Sequence, residues 1–337
     1  METEDRKLLT LVQKEFPLVP RPYALLGESL GLSEEEVLAR LVRLTREGIL
    51  RQIGAIFNPG ALGYRTTLVA FAVPEALREE AARIINQHPG VSHNYLRDHR
   101  FNFWFTLAVP PGKDLEEEVK DLARRSSAED YLLLPIKRVF RIAVIFDLEE
   151  GQTGDGNFTY SGTIQNPDPR TVKLVRATQE PLPLIPRPFR EVAHRAEVSE
   201  EELLAWIEEM LRRGVMRRFA GLVRHHRAGF RENVMVAWRI PETRVEEIGR
   251  ALAREPGITH CYERVSYPRW PYNLYTMIHA PRRVEDRLRE ISRRYALSDF
   301  LALRTLREYK KIRLKLFLEG NGENSAGSAP PREDRPN

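Results

Sequence analysis

The chain contains an internal repeat that covers nearly its whole length. The first copy reads PLVPRPYALLGESLGLSEEEVLARLVRLTREGIL from Pro17, and the second reads PLIPRPFREVAHRAEVSEEELLAWIEEMLRRGVM from Pro183. Further on, HPGVSHNYLR matches EPGITHCYER and FNFWFT matches YNLYTM, at an overall offset of 166 to 171 residues. A repeat of this density predicts two copies of one fold within the 337 residues.

Composition sets the boundaries between the copies. The stretch EEGQTGDGNFTYSGTIQNPDPR is rich in Gly, Asn, Asp and Thr, so we expect a linker at residues 151–170. We assign residues 1–150 to the first unit and 171–319 to the second. Residues 320–337 are small, polar and Pro-rich, and we expect them to form a disordered tail.

Each unit begins with a helix-turn-helix pattern, at about residues 1–50 and 171–216. Three short helical segments are predicted in each of these ranges. The third segment opens on Ser33 or Ser199, with a glutamate three residues later, which is a capping box.

The rest of each unit, about residues 51–150 and 217–319, mixes β-rich and helical segments. In the first copy these are IGAIF, TTLVAFAV, EALREEAARIINQ, NYLRDH, FNFWFTLAV, LEEEVKDLARR and VFRIAVIF, an order typical of a ferredoxin-like βαββαβ sandwich. A winged helix-turn-helix unit followed by such a sandwich resembles the Lrp/AsnC family of transcriptional regulators. We therefore predict an α+β fold, in which a winged helix-turn-helix unit and an Lrp/AsnC-type ligand-binding sandwich occur in tandem duplication.

Bulk properties exclude several classes of protein. No apolar run approaches the ~20 residues that a bilayer span requires, and the start METEDRKLLT is not a secretory signal. Cys261 is the single cysteine, which argues against iron–sulfur clusters and thiolate zinc sites. Because neither a secretory signal nor disulfides are indicated, we expect a cytoplasmic protein without membrane contact. The net charge of +5 favours an anionic partner, and nucleic acid and a small polycarboxylate fit it equally well.

The helix that would read DNA begins with acidic residues in both copies. Glu34, Glu35 and Glu36 follow Ser33, and Ser199 also precedes three glutamates. Carboxylates directed at phosphates oppose the counterion release on which DNA affinity depends, so no DNA binding is expected. The alternative is that these glutamates only stabilise the helix N-terminus while basic residues elsewhere contact DNA.

A cationic cluster lies in the second copy alone. Residues 217–231 read RRFAGLVRHHRAGFR, whereas the matching RQIGAIFNPGALGYR of the first copy has only Arg51 and Arg65. Guanidinium groups suit several carboxylates at once, so we place the main reaction centre on the C-terminal copy. His225 and His226 within the cluster either serve in iron coordination and proton transfer or belong to a solvated loop.

Histidine and aromatic residues recur near this cluster. His93 and His260 occupy equivalent repeat positions, each followed two residues later by Tyr95 or Tyr262. Flat rings suit a flat macrocycle, and the second copy carries Trp238, Tyr262, Tyr267, Trp270, Tyr272 and Tyr275. The competing interpretations are that the rings are ordinary core or cross-strand pairs and that the histidines bond to the adjacent turn.

These segments resemble one specific family, the siroheme decarboxylases, a two-subunit offshoot of the Lrp/AsnC proteins. The N-terminal copy, with GAIFNPGALGYRTTLVAFAVP and HPGVSHNYLRDHRFNFWFTL, is similar to the A-type subunit. The C-terminal copy, with RRFAGLVRHHRAGFRENVMVAW and HCYERVSYPRWPYNLYTMIH, is similar to the B-type subunit. The resemblance implies a natural fusion of both subunits, so that one chain forms an intramolecular pseudo-heterodimer.

The resemblance also implies a reaction. Siroheme would lose the carboxyl groups of its C12 and C18 acetates and become 12,18-didecarboxysiroheme, in the alternative haem pathway or in haem d1 synthesis. No cofactor is then expected, since the substrate carries the iron, and the expected partners besides siroheme are other haem-pathway enzymes and further copies of the chain. The competing functions are an Lrp/AsnC-type transcriptional regulator that senses a tetrapyrrole and a protein that stores the ligand.

We expect the site on the second copy. The catalytic residues would be His225, His226 and Tyr262, with His225 or His226 as a ligand of the siroheme iron. The residues expected to bind the substrate are Arg217, Arg218, Arg224, Arg227, Arg231, Asn233, His260, Arg264, Trp270, Tyr272, Asn273 and Tyr275. The N-terminal copy has Pro59 and Gly60 where the second has the two histidines, so we expect it to shape the pocket or regulate it, without a reaction of its own.

Overall fold

The computed structural model describes residues 2–14, 16–146, 153–155, 162–223, 232–280 and 283–318. The α-helices in these ranges are α1 (Thr3–Lys14), α2 (Pro22–Leu30), α3 (Glu34–Arg46), α4 (Arg78–Gln87), α5 (Leu115–Arg125), α6 (Pro169–Gln179), α7 (Pro188–Ala196), α8 (Glu200–Arg212), α9 (Val245–Ala253) and α10 (Val284–Tyr295). The strands there are β1 (Leu50–Phe57), β2 (Arg65–Ala72), β3 (Val91–Arg97), β4 (Phe103–Val109), β5 (Asp130–Leu134), β6 (Ile136–Phe146), β7 (Thr153–Asp155), β8 (Met216–Val223), β9 (Glu232–Trp238), β10 (Ile258–Arg264), β11 (Leu274–Ala280) and β12 (Phe300–Lys311).

The two helix-turn-helix units form one helical module with a shared core. Helices α3 and α8 each begin at a capping box, in which the hydroxyl of Ser33 or Ser199 accepts from a backbone N–H three residues later. Strand β1 pairs with β8 in an antiparallel two-stranded ribbon. Helix α1 packs on β8 of the other copy, and α6 packs on β1 in return. Because Leu8, Val12 and Phe189 belong to one buried cluster, the two units stabilise each other.

The repeated Pro-Arg-Pro sequence has a structural role in this module. Arg21 forms an ion pair with Glu34, and Arg187 forms the equivalent pair with Glu200. Both carboxylates are buried. Glu34 and Glu200 are therefore engaged within the protein, as are the capping-box glutamates Glu36 and Glu202, which accept from the backbone N–H of Ser33 and Ser199. The expectation that these helices do not bind DNA stays a prediction.

The remaining strands form a ten-stranded antiparallel sheet that spans both copies. Its order is β5-β2-β4-β3-β12-β9-β11-β10-β6-β7. Only Pro135 separates β5 from β6, so a nearly continuous strand pairs with β2 of the first copy and with β10 of the second, and the sheet closes on itself with the short β7 beside β6. The outer face is covered by α4 and α5 in the first copy and by α9 and α10 in the second. The inner face carries an apolar cluster to which both copies contribute.

The last strand of each copy crosses into the other copy. Strand β12 pairs first with β9 of its own copy, at Phe300–Arg304, and then with β3 of the first copy, at Thr305–Lys311. The first copy does the same, because β5 pairs with its own β2 and β6 pairs with β10 of the second copy. Each sandwich is completed by a strand of the other, which covers an edge that would otherwise be open.

The structure confirms the duplicated α+β architecture and adjusts its parts. IGAIF lies in β1 of the two-stranded ribbon and not in the ferredoxin-like sandwich, whose first strands are β2 and β9. Within the expected linker, Thr153–Asp155 pair with β6, and α6 already begins at Pro169. The expected disordered tail, residues 320–337, lies outside the described residues.

Candidate active site

A cavity of about 1380 Å³ lies against the inner face of the sheet. Both copies build its wall, with residues from β2, β3 and β4 of the first, from β9 to β12 of the second, and from the helical module. Leu68, Trp104, Met235 and Tyr275 line it and belong to the shared apolar cluster. The two repeats therefore form one cavity together.

Two equivalent sets of three polar side chains line this cavity. They are the N-terminal set, His93, Tyr95 and Arg97 on β3, and the C-terminal set, His260, Tyr262 and Arg264 on β10. Alternate residues of a strand lie on the same face, which directs all three members of a set inward. Cys261, between two of them, is buried in the outer core instead.

The histidine of each set is a neutral base in a fixed orientation. The Nδ1 atom of His93 lies 3.0 Å from the hydroxyl of Ser92, and that of His260 lies 2.9 Å from the hydroxyl of Thr259. Burial, with a contribution from nearby positive groups, lowers the pKa of each imidazole to about 4. Because Nδ1 is engaged, Nε2 is the ring nitrogen that a ligand can meet.

The arginine of each set is buried and holds the strand that crosses over from the other half. Arg97 donates to the carbonyl oxygen of Leu303 at 2.7 Å, and Arg264 donates to that of Leu134 at 2.6 Å. Burial lowers the pKa of Arg97 to about 10 and lowers that of Arg264 as well, and no carboxylate of the described residues contributes to either pKa. Arg264 also lies over the ring of Tyr262, 5.1 Å from its centre. Such guanidinium groups are suited to an anionic ligand.

The wall of the cavity carries an excess of positive charge. The cationic side chains in it are Arg97, Arg217, Arg264, Arg283, Arg289, Arg304, Lys311 and Arg313. Among the described residues, only Glu285 and Glu308 bring carboxylates to the wall. Glu285 pairs with Arg304, and Glu308 lies 3.8 Å from Lys311. The remaining charge favours a ligand with several negative groups.

The structure divides the residues predicted from the sequence into three groups. Those that line the cavity are Arg217, His260, Tyr262, Arg264 and Tyr275. Those with described side chains outside its wall are Arg218, Trp270, Tyr272 and Asn273. Those whose side chains are not described are Arg224, His225, His226, Arg227, Arg231 and Asn233, the last of which is placed on β9. The roles in catalysis, substrate binding and iron coordination stay predictions.

Two members of the second group have evident structural contacts. The side-chain amide of Asn273 bonds to both the N–H and the carbonyl of Ile240, at 3.0 and 2.8 Å. Asn102 of the first copy bonds to Val73 in the same way, so this contact belongs to the fold of each repeat. Trp270 donates to the hydroxyl of Tyr275 at 2.6 Å and thus supports a residue of the cavity wall.

From the sequence we placed the main reaction centre on the second copy and expected the first copy to shape the pocket or regulate it, and residues of both copies line the cavity. His93, Tyr95 and Arg97 of the first copy line the same cavity as their counterparts. Local patterns do not reveal the strand exchange that brings the two sets together. The available signal was the repeat itself, since His93 and Tyr95 match His260 and Tyr262 position by position.

Comparison with known proteins places the chain in a family. Residues 5–51 and 172–217 match the family described as siroheme decarboxylase NirDL-like HTH domain, and residues 61–141 and 227–310 match the AsnC-like ligand binding domain. The siroheme decarboxylase of Hydrogenobacter thermophilus is 40% identical over 322 residues, which cover 95% of this chain and 96% of that protein. The chain belongs to the siroheme decarboxylase family.

Siroheme decarboxylases are found both as single chains and as separate subunits. The alpha subunit from Oleidesulfovibrio alaskensis is 40% identical, and the match covers 92% of that subunit but 45% of this chain. The present chain is therefore about twice as long as that subunit. This agrees with the predicted fusion and with an intramolecular pseudo-heterodimer.

A solved siroheme decarboxylase has the same architecture. The crystal structure of NirDL in co-complex with an iron-uroporphyrin III analogue has a TM-score of 0.75 and 38% identity to this chain, covering 93% of this chain and 94% of that one. Membership of the siroheme decarboxylase family makes the chain an enzyme of the carboxy-lyase class, as the sequence predicted. No helix in the part of the chain that the structure describes is long and apolar enough to cross a membrane.

Proposed function

We propose that the chain removes the carboxyl groups of the C12 and C18 acetates of siroheme and releases 12,18-didecarboxysiroheme, for haem or haem d1 synthesis. The observation that carries the proposal is the large cationic cavity that the two repeats build together. Its occurrence in a chain of the siroheme decarboxylase family supports siroheme as the ligand.

Siroheme fits the cavity in size and in charge. The substrate is a flat macrocycle with eight carboxylates, and the described residues of the cavity wall bring eight cationic side chains against two carboxylates. The volume of about 1380 Å³ exceeds the ~300–1,000 Å³ of ordinary small-molecule pockets. Trp104 and Tyr275 offer aromatic surface to the macrocycle. These properties favour a large polyanion over the small ligands of ordinary pockets.

Each decarboxylation breaks one carbon–carbon bond and consumes one proton. When carbon dioxide leaves, the electron pair stays on the methylene carbon and spreads into the macrocycle, so no organic cofactor is required. A proton delivered to that carbon then completes the methyl group. Arg97 and Arg264, with the other cations of the wall, hold the carboxylates that are retained and so orient the macrocycle. Burial of the departing carboxylate in a poorly solvated place costs free energy. This cost disappears when the charge is lost with carbon dioxide, which favours the decarboxylation.

The histidines couple substrate binding to proton uptake. His260 is neutral near pH 7 because burial lowers its pKa to about 4. A substrate carboxylate beside it adds negative charge, which raises the imidazole pKa and favours the protonated form. The imidazolium, or the hydroxyl of Tyr262, whose ring centre lies 5.9 Å from that of His260, can then supply the proton. His225 and His226 are the other proposed proton donors or iron ligands.

Anaerobic incubation of the purified chain with siroheme, followed by mass analysis of the extracted tetrapyrrole, tests the proposal. Loss of two carbon dioxide masses is the expected result. Siroheme that stays bound with its mass unchanged would overturn the proposal and favour a carrier or a sensor.

A further inference from the structure

The two polar sets are equivalent in position but differ in what lies opposite them. In the antiparallel ladder, Glu308 of β12 pairs with Tyr95, whereas Val139 of β6 pairs with Tyr262. Directly paired residues of an antiparallel sheet lie on the same face, so Glu308 shares the inner face with Tyr95. Glu308 lines the cavity, and its side chain is 45% exposed. The exchanged strands thus bring a carboxylate to one set and an apolar residue to the other.

Glu308 changes the chemistry of the N-terminal set. Burial and this neighbouring carboxylate raise the pKa of Tyr95 to about 12. The negative charge of Glu308 also opposes a substrate carboxylate next to Tyr95, although Lys311 offsets part of it from 3.8 Å away. Val139 brings no charge to Tyr262. Of the two described residues that pair directly with these tyrosines, Glu308 alone is charged, so we expect the C-terminal set to accept a carboxylate more readily.

The symmetry of the substrate matches the symmetry of the cavity. In siroheme the C12 and C18 acetates flank two propionates on neighbouring pyrrole rings, so a local twofold axis exchanges the two acetates. In the closed sheet, half a turn exchanges β3 with β10 and thus the N-terminal set with the C-terminal set. Both sets line the same cavity, and His93 contributes to the lowered pKa of His260. One bound macrocycle can therefore present one acetate to each set.

We propose that each set removes one carboxyl group from a single bound macrocycle, and that Glu308 fixes the order by delaying the loss at the N-terminal set. This inference rests on the proposed function and deepens it. Each step breaks one carbon–carbon bond, releases one carbon dioxide and takes up one proton at the methylene carbon, so neither step needs an oxidant or another co-reactant. The macrocycle does not have to turn over between the steps. Glu308 acts as a positioning residue for the order of the losses.

Single-turnover reactions with siroheme under anaerobic conditions test the two sets. The monodecarboxylated intermediate is followed in time, with chromatographic separation of its two regioisomers. The unaltered chain is expected to form mainly one isomer before the second loss. Tyr95→Phe should accumulate that same isomer, and Tyr262→Phe should accumulate the other one. Completion of both losses by Tyr95→Phe, with none by Tyr262→Phe, would show that one set acts twice and overturn the proposal.

Glu308→Gln tests the order at an exposed position where folding is not at risk. The ratio of the two isomers should change by about fivefold toward equality, which is the effect expected when one partly screened charge contact is removed. Val139→Glu is the reciprocal variant, and in combination with Glu308→Gln it should reverse the preference. If Glu308 had only a structural role, Glu308→Gln would slow both decarboxylations and leave the isomer ratio unchanged. This result would refute the proposal that Glu308 determines the order of the two losses.

Failure of the proposed function gives a different result. In that case the unaltered chain itself releases no carbon dioxide from siroheme, whatever the variants do. If the unaltered chain completes both losses and the isomers formed by the variants do not differ, only the present inference is wrong.

Discussion

The guanidinium of Arg97 donates a hydrogen bond of 2.7 Å to the carbonyl oxygen of Leu303, on the strand that arrives from the other repeat. Arg264 makes the equivalent bond to Leu134. Both arginines also line the cavity. The proposed ligand site and the pairing of the two repeats therefore share the same side chains.

Arg97→Met is expected to weaken both properties. The free energy of unfolding should fall by about 1–3 kcal/mol, because a buried carbonyl loses a charged donor. Siroheme affinity should fall as well, since the wall loses a cation. Urea unfolding and absorbance titration with siroheme measure the two effects. Arg307→Ala is the control, because Arg307 pairs with Glu79 at the surface and should change neither quantity much. Full siroheme affinity in Arg97→Met would show that Arg97 only joins the strands.

Arg217 and Arg218 are neighbours on β8 with different surroundings. Arg217 lines the cavity, whereas Arg218 lies outside its wall. Arg217→Ala should raise the Kd for siroheme by about tenfold, as expected for the loss of one charge-assisted contact. Arg218→Ala should leave the Kd nearly unchanged, although the sequence had suggested the same role for both. Equal losses of siroheme affinity in the two variants, measured by absorbance titration, would support the binding role that the sequence predicted for Arg218.

The neutral histidines predict that the fold is sensitive to acid. The pKa of His260 is about 4 in the folded chain, below its ordinary value of 6.5. As the pH falls, the imidazole is protonated in the unfolded chain before it is protonated in the folded chain. The neutral ring therefore makes its full contribution to the free energy of unfolding above about pH 6.5, and this contribution is lost as the pH falls toward 4. The urea midpoint should therefore decline across this window, and less steeply in His260→Gln. If the urea midpoints of the unaltered chain and of His260→Gln declined in parallel with falling pH, His260 would not be the cause of the acid sensitivity.

Gly249 marks the contact between α9 and the strand that crosses from the first repeat. A Cβ atom at Gly249 would overlap the ring of Phe140 on β6. Alanine favours a helix by about 1 kcal/mol over glycine, but overpacking at a buried contact costs about 1–3 kcal/mol. We therefore expect Gly249→Ala to lower the free energy of unfolding. Phe140→Leu should relieve part of this cost in the double variant, and strictly additive effects would argue against the contact.

His225 and His226 are the remaining candidates for proton transfer or iron coordination. The double variant His225→Ala with His226→Ala should abolish turnover of siroheme and keep the fold, which circular dichroism can verify. The absorption spectrum of bound siroheme provides a second measurement, because loss of an axial imidazole changes the iron bands. Unchanged turnover would exclude both residues and leave His93, His260 and His279, the described histidines of the cavity wall, as the candidates.

The sequence by itself determined much of the local structure. The capping boxes at Ser33 and Ser199 begin the third helices, and alternation along β3 and β10 directs each polar set to one face. Because of the repeat, the first copy carries His93 and Tyr95 at the positions that match His260 and Tyr262 of the second copy. The long matching segments also indicated the family correctly.

Only the tertiary structure decided which segments meet. A pattern of period two fixes the face on which a side chain lies, but it does not fix the strand that pairs with it. The pairing depends on edge complementarity between segments that are far apart in the chain. For this reason the exchange of β6 and β12 was not foreseen, and the site was assigned to one repeat. The same exchange places Glu308 opposite Tyr95 and Val139 opposite Tyr262, and so makes two equivalent sets of residues chemically different.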